Sequence, residues 1–258
     1  MGLFRHSHNS PATPEGKASL PQPTKPVVSV SMGGIRAELS AGDHLSGRRQ
    51  KSAVDVVFAF DTTGSMSGFI DGLVSAMSSF IDVLQERGLD WRTTCVPFGD
   101  LLIPGDKVVS TLPWVTSVDT ARSQLQSMPR FNGGGNFGES SYEAVSVALG
   151  KKFRDNSIKI VILITDDEPH QHTYSTSHVI GELVEADALC FSVSHATPTY
   201  TKLVKETGGS LIPIGSSVNM SAIINAFLRL ADDLAKRSKK IHELGNGSPQ
   251  RLLEIERK

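Results

Sequence analysis

The chain has 258 residues, enough for one α/β domain of about 180 residues with appended segments. Its 26 Lys and Arg against 27 Asp and Glu leave a net charge of −1, which gives no overall electrostatic case for binding nucleic acid or an anionic membrane. Its two cysteines, Cys95 and Cys190, each lie in an apolar run, so neither a disulfide framework nor a zinc knuckle is supported.

Residues 1–26 are rich in Pro, Ser, His and Lys without a hydrophobic period and predict a disordered tail. They contain no apolar core of signal-peptide length, and no window of about 18 apolar residues occurs anywhere, so a cytoplasmic protein without a membrane span is expected. Val27–Leu39 predicts a short strand pair turned at Gly33 and Gly34, followed by a linker to residue 53.

The main domain is expected over residues 54–236. Val54–Phe60 is an almost continuous apolar run ending at Asp61, the pattern of a central parallel strand buried on both faces. Phe69, Ile70, Leu73, Met77, Phe80, Ile81 and Leu84 then recur at helical spacing, and Gly88 stops that helix. Trp91–Phe98 predicts a second strand. Lys107–Leu112 predicts a third that runs antiparallel at a sheet edge, because the Pro104-Gly105-Asp106 turn is too short for a parallel return. Helices are predicted over Val118–Met128 and Ser141–Lys152, with a glycine-rich loop between them. Ile158–Ile164 is a second buried strand, and it too ends in acid at Asp166 and Asp167. Helix Val179–Asp187, strand Leu189–Val193, helix Tyr200–Thr207, strand Ser210–Ile214 and helix Met220–Lys236 follow. The alternation implies a three-layer α/β fold with a mostly parallel six-stranded sheet, one antiparallel edge strand and helices on both faces. Residues 237–258 predict a C-terminal tail with an amphipathic docking helix.

In open α/β sheets ligands bind beyond the carboxyl ends of the strands, where the strand order reverses. Asp61, Thr63 and Ser65 offer three hard oxygen ligands in one turn, and Asp166 offers a carboxylate from the second strand end. Oxygen donors of this kind suit Mg²⁺, Mn²⁺ or Ca²⁺ rather than zinc. The competing reading makes Asp61 and Ser65 helix caps and Asp166-Asp167-Glu168 a solvated loop. His170-Gln171-His172 reads as a polar loop, with a second, softer metal as the alternative.

The run DTTGSM after an apolar strand resembles the Asp-x-Ser/Thr-x-Ser signature of the metal-ion-dependent adhesion site in von Willebrand factor A domains, and the later ITD resembles that family's second acidic element. The resemblance implies a Rossmann-like fold in which Thr63 and Ser65 contact a cation directly. Asp61 is implied as a further ligand of that first loop, and Asp166 as acting directly or through water. The family's middle-loop threonine has no counterpart in Asn132–Glu139, a glycine-rich loop similar to those of some bacterial and intracellular members; Asn136 is the expected ligand there, with Glu139 as an outer-shell acid. Asp100, Gly134, Gly135, Glu139, Asp167 and His170 are expected to form a rim for a partner.

The implied function is metal-dependent protein–protein interaction without catalysis, in which the cation takes an Asp or Glu of another protein. An ATPase, a kinase or another component of a multi-protein system would be compatible, and neither nucleic acid nor membrane is expected. The competing readings are a Mg²⁺-dependent phosphatase using Asp61 as nucleophile and a structural subunit that binds through its tails. The first lacks the second acid that such enzymes carry two residues after the nucleophile, where Thr63 stands.

Overall fold

The sequence alternation folds into strands β1 (Ala53–Asp61), β2 (Asp90–Phe98), β3 (Ser157–Ile164), β4 (Ala188–Ser194) and β5 (Leu211–Pro213). They alternate with helices α1 (Ile70–Glu86), α2 (Val118–Gln126), α3 (Ser141–Leu149), α4 (Thr176–Glu185), α5 (Pro198–Glu206) and α6 (Met220–Leu244). The computed structural model describes residues 53–134, 137–170, 173–214 and 220–244, the side chains of 241–244 excepted. The expected tail 1–26, the strand pair and the linker up to residue 52 lie outside the described residues, as do Gly135, Asn136, Gln171, His172 and the segment after Leu244.

Every ladder in the described sheet is parallel, with strand order β2-β1-β3-β4-β5. Alternate side chains of the central strands enter opposite layers, as the pleat dictates. Val54, Val56, Phe58 and Phe60 of β1 and Ile158, Ile160, Ile162 and Ile164 of β3 pack in the layer that holds α1, α2 and α6. Val57, Ala59, Val161 and Leu163 face α3, α4 and α5. Phe80 of α1 meets Phe58 edge-on at 6.2 Å between ring centroids and Phe227 of α6 at 5.7 Å, which ties sheet, first helix and last helix together. Each fully buried large apolar side chain stabilises the fold by roughly 1.5–3 kcal/mol. At the end of α1, Leu89 N–H donates to Leu84 C=O and Gly88 N–H to Gln85 C=O, with Gly88 at φ 67°, a backbone arrangement that glycine adopts without steric cost.

The expected sixth, antiparallel strand does not form. Lys107–Leu112 makes a single antiparallel bridge, Val108 to Phe98, held by Val109 N–H to Pro97 C=O and Gly99 N–H to Lys107 C=O. Extending that ladder would require an N–H from Pro97, which has none. The carbonyl of Leu112 instead accepts from Thr94 Oγ1 at 3.0 Å and Lys151 Nζ at 2.9 Å, and Lys151 also reaches Ser110 C=O. The chain therefore lies along the edge of β2 in the expected direction, held by isolated antiparallel bridges of Phe98 with Val108 and of Thr93 with Val115 and by side chains between them rather than by a continuous ladder.

The sheet order sets the position of the site. From β1 the chain crosses outward to β2, then returns to place β3 on the other side of β1, so the order reverses between β1 and β3. Their register ends at Phe60 opposite Ile164, which puts Asp61 beside Thr165 at the mouth of that crevice.

Candidate metal centre

Asp61 closes β1 and is fully buried. Its Oδ1 accepts from Thr63 N–H at 2.9 Å and Thr63 Oγ1 at 2.7 Å, and its Oδ2 accepts from Thr165 Oγ1 at 2.8 Å. Ser65 Oγ donates to Asp166 Oδ1 at 3.1 Å, and the Thr63 and Ser65 hydroxyl oxygens lie 3.1 Å apart. The four residues expected from β1, its following turn and the end of β3 thus form one connected set. The helix-cap reading has no support: α1 starts at Ile70, and neither it nor the short 3-10 turn Ser65–Gly68 receives a side-chain cap.

The set gathers oxygen donors of the kind a hard cation takes. The Thr63 hydroxyl lies within donating reach of Asp61 and the Ser65 hydroxyl within reach of Asp166, while either hydroxyl can also donate to the other, so the four residues share one flexible proton network. Two cis ligands of an octahedral Mg²⁺, at ~2.1 Å each, would be about 3 Å apart, close to the separation found. Burial pushes Asp61 up to about 6, the hydrogen bonds from Thr63 and Thr165 oppose that rise, and Asp166 adds to it. Asp166 is also raised, mainly by burial, although the Ser65 hydrogen bond opposes this. The oxygens gathered here are hydroxyl and carboxylate, and no group of three or more His, Cys, Asp or Glu able to hold a metal occurs among the described residues.

The glycine-rich loop closes over this turn. Gly133 adopts φ 68°, and a Cβ there would lie 3.0 Å from Thr63 Cβ, so the bare backbone permits the approach. Asp106 fixes it: Oδ1 accepts from Asn132 N–H at 3.1 Å, and Oδ2 accepts from Gly133 N–H at 2.9 Å and Asp100 N–H at 3.3 Å. Sequence reasoning took Asp106 for turn chemistry and passed over Thr165, whose signal was its register beside Asp61. Asp106→Ala is expected to speed amide hydrogen exchange at Asn132 and Gly133 and to weaken Mn²⁺ affinity about 10-fold or more. Unchanged exchange at both amides would show that the loop holds itself.

Two residues expected on the rim, Asp100 and His170, lie below the surface, and a third, Asp167, is partly withdrawn. Asp100 is fully buried, and its Oδ1 is 3.0 Å from His170 Nε2, whose ring is 7% exposed. His170 joins two loops from inside, and Gly138 packs against its imidazole. Asp167 is half-buried and turns its carboxylate onto Gly138 N–H at 3.0 Å and Glu168 N–H at 2.8 Å. Gly134 is exposed.

Glu139 is buried, and its Oε2 has no hydrogen-bond partner. Burial, then the charges of Asp61, Asp100, Asp167 and Asp166, push its carboxyl up to about 9. An orphaned acid behind four carboxylates marks a place short of positive charge. Because the folded value lies above the ordinary 4.5, its stabilising contribution is complete below that pH and is lost as pH rises through about 9. Glu139→Gln is therefore expected to raise stability in chelator by on the order of 2 kcal/mol at pH 7, with the gain shrinking towards pH 4. Urea unfolding of both proteins from pH 4 to 8 checks this, and a pH-independent difference would refute it.

An open parallel sheet with hydroxyl and carboxylate oxygens gathered at its switch point defines a Rossmann-like α/β domain with a loop site of cation type. The model for the von Willebrand factor type A domain matches residues 55–210, and the chain belongs to that family. Domains of the family are typically metal-dependent protein-interaction modules. Among solved structures, the open conformation of the pilus adhesin SpaC from Lactobacillus rhamnosus GG matches with a TM-score of 0.52 and 14% identity over 72% of this chain and 30% of its own. A von Willebrand factor type A protein from Catenulispora acidiphila matches with a TM-score of 0.53 and 16% identity over 72% and 43%. The proximal thread matrix protein 1 of the mussel byssus, with a zinc-occupied MIDAS motif, matches with a TM-score of 0.53 and 18% identity over 70% and 46%. The chain thus spans less than half the length of each, and the likeness is one of fold. No curated protein matches the sequence. Among the described residues, no helix is long and apolar enough to cross a membrane.

Proposed function

We propose that the domain binds another protein through a divalent cation, Mg²⁺ or in its place Mn²⁺ or Ca²⁺, to which the partner contributes an Asp or Glu. The observation that carries this reading is the convergence of the Asp61, Thr63, Ser65 and Asp166 oxygens at the switch point, with the Thr63 and Ser65 oxygens 3.1 Å apart and each beside a carboxylate. These two oxygens would hold the ion, with Asp61 and Asp166 direct or through water and Asn136 supplying the remaining loop ligand. A bound cation supplies an electron-pair acceptor for an incoming carboxylate. Two close carboxylates roughly balance a divalent charge, so they leave it able to attract a further anion. The zinc in the mussel protein's motif supports divalent binding at such loops, without specifying the metal here.

The phosphatase alternative lacks the second acid two residues after the nucleophile, since Thr63 stands there and donates to Asp61. Capture by the full chain in Mg²⁺, in EDTA and with Asp61→Ala tests the interaction reading. A partner retained only by the wild-type chain in Mg²⁺, and lost when one of its own acids is changed to the amide, is the expected result. Retention in all three conditions would transfer the binding to the tails.

A further inference from the structure

Four large hydrophobic side chains are exposed among the described residues: Leu101 at 47%, Leu102 at 55%, Phe137 at 97% and Val184 at 43%. Three of them stand on two loops beside the candidate cation. Leu101 and Leu102 follow Asp100 at the end of β2, and Phe137 precedes Gly138 and Glu139 in the loop before α3. His170 ties these loops together, with its Nε2 at Asp100 and its other face against Gly138.

The exposure is fixed by the backbone. Leu101 N–H donates to Ser140 Oγ at 2.9 Å, which links the first loop to the start of α3 just beyond Phe137. Leu102 N–H donates to Asp100 Oδ1 at 2.9 Å, and Ile103 N–H to Asp100 C=O at 2.9 Å, so this turn closes on itself. On the other loop, Gly138 N–H is held by Asp167. Large apolar side chains held in water on loops anchored at Leu101, Leu102 and Gly138 are a feature of interaction sites.

We infer that Leu101, Leu102 and Phe137 form an apolar shoulder that seats a bulky hydrophobic side chain of the partner, adjoining the carboxylate it gives to the cation. The inference rests on the proposed metal-mediated binding and adds a sequence preference to it. Charge complementarity selects the occupant. Asp61, Asp100, Asp166 and Asp167 lie close enough together to act on the Glu139 carboxyl, so one acid can be drawn to the cation while further acids beside it are repelled. The fitting partner is a protein loop with a single Asp or Glu next to Leu, Ile, Met or Phe. Phe137 is the aromatic anchor of the shoulder.

The test presents the full chain to an array of synthetic peptides, each with one Glu in a Gly-Ser background and its neighbours scanned through apolar, polar and acidic residues, in Mg²⁺ and in EDTA. Peptides with an apolar neighbour are expected to bind about tenfold or more tightly in Mg²⁺ than those with serine, and those with a second acid more weakly. The preference should vanish in Phe137→Ser and in the double variant Leu101→Ser, Leu102→Ser, with Mn²⁺ titration unchanged in both. Mg²⁺-dependent binding that ignores the neighbour, or a preference that survives both variants, overturns the shoulder and leaves the cation reading standing. If no peptide binds in a Mg²⁺-dependent way while Mn²⁺ titrates normally, the carboxylate-to-metal reading fails, and the shoulder falls with it.

Discussion

Asp61→Ala is expected to lower Mg²⁺ and Mn²⁺ affinity by on the order of a hundredfold or more while the domain remains folded. Loss of a residue that merely orients a ligand commonly costs 10–100-fold, and Asp61 both supplies charge and orients Thr63 through two hydrogen bonds. Folding is preserved because the carboxylate is not a net support: burial has raised it to about 6, so at neutral pH its ionised form costs free energy that alanine removes. Against that gain, Thr63 N–H and Thr165 Oγ1 lose an acceptor, and the two effects are similar in size. Calorimetric titration of both metals, paired with thermal unfolding in chelator, measures the two consequences separately. Wild-type metal affinity in the variant would remove the proposed function.

The opposite separation is expected six residues earlier on the same strand. Asp55 is fully buried and accepts from Arg92 Nη2, Arg154 N–H and Arg154 Nε, each at 2.7 Å, while Arg154 also reaches Asp90 at 2.9 Å. Burial raises the Asp55 carboxyl, but the hydrogen bonds from Arg92 and Arg154 outweigh it and hold the group below its ordinary value. Asp55→Ala would leave two guanidinium groups without their shared partner. The arginine side chains are 18% and 29% exposed, so water recovers part of the loss, and destabilisation of about 3 kcal/mol is expected. In a domain of this size that lowers the melting temperature by about 6–12 °C. Since the folded carboxyl is depressed, its stabilisation is present above the unfolded value near 3.8 and is lost as pH falls through the folded one. The gap between wild type and variant should therefore hold from pH 8 to about 5 and close only in stronger acid. Metal affinity should be unchanged, and a loss of it would mean that the two ends of β1 are coupled.

The strand ends that form the site were legible because β1 and β3 are apolar runs closed by acids, a pattern that needs no knowledge of distant contacts. Asp61, Thr63 and Ser65 fall within one turn, so their convergence is local. Thr165 could be found only once the register of β3 against β1 was known, since adjacency of the two strands alone does not set it beside Asp61. Asp106 was hidden by a better-known use of Asp in turns, and its three backbone partners come from loops separated in sequence. Asp100 and His170 looked like rim residues because polar side chains on loops are usually exposed, whereas here each buries the other. The missing edge strand had a visible cause in Pro97, but the consequence depends on which way that residue faces.

That proline also affects how the molecule meets copies of itself. The segment lying along β2 covers the edge with carbonyls already claimed by Thr94 and Lys151, while β5 at the other margin is three residues long. Among the described residues, neither margin offers a long row of open amides and carbonyls on which a foreign strand could be templated, the device by which sheets with apolar central strands limit edge-to-edge pairing. On the β2 side the guard is shared between backbone pairs at both ends, Gly99 with Lys107 and Thr93 with Val115, and the Thr94 and Lys151 side chains between them, so no single residue carries it.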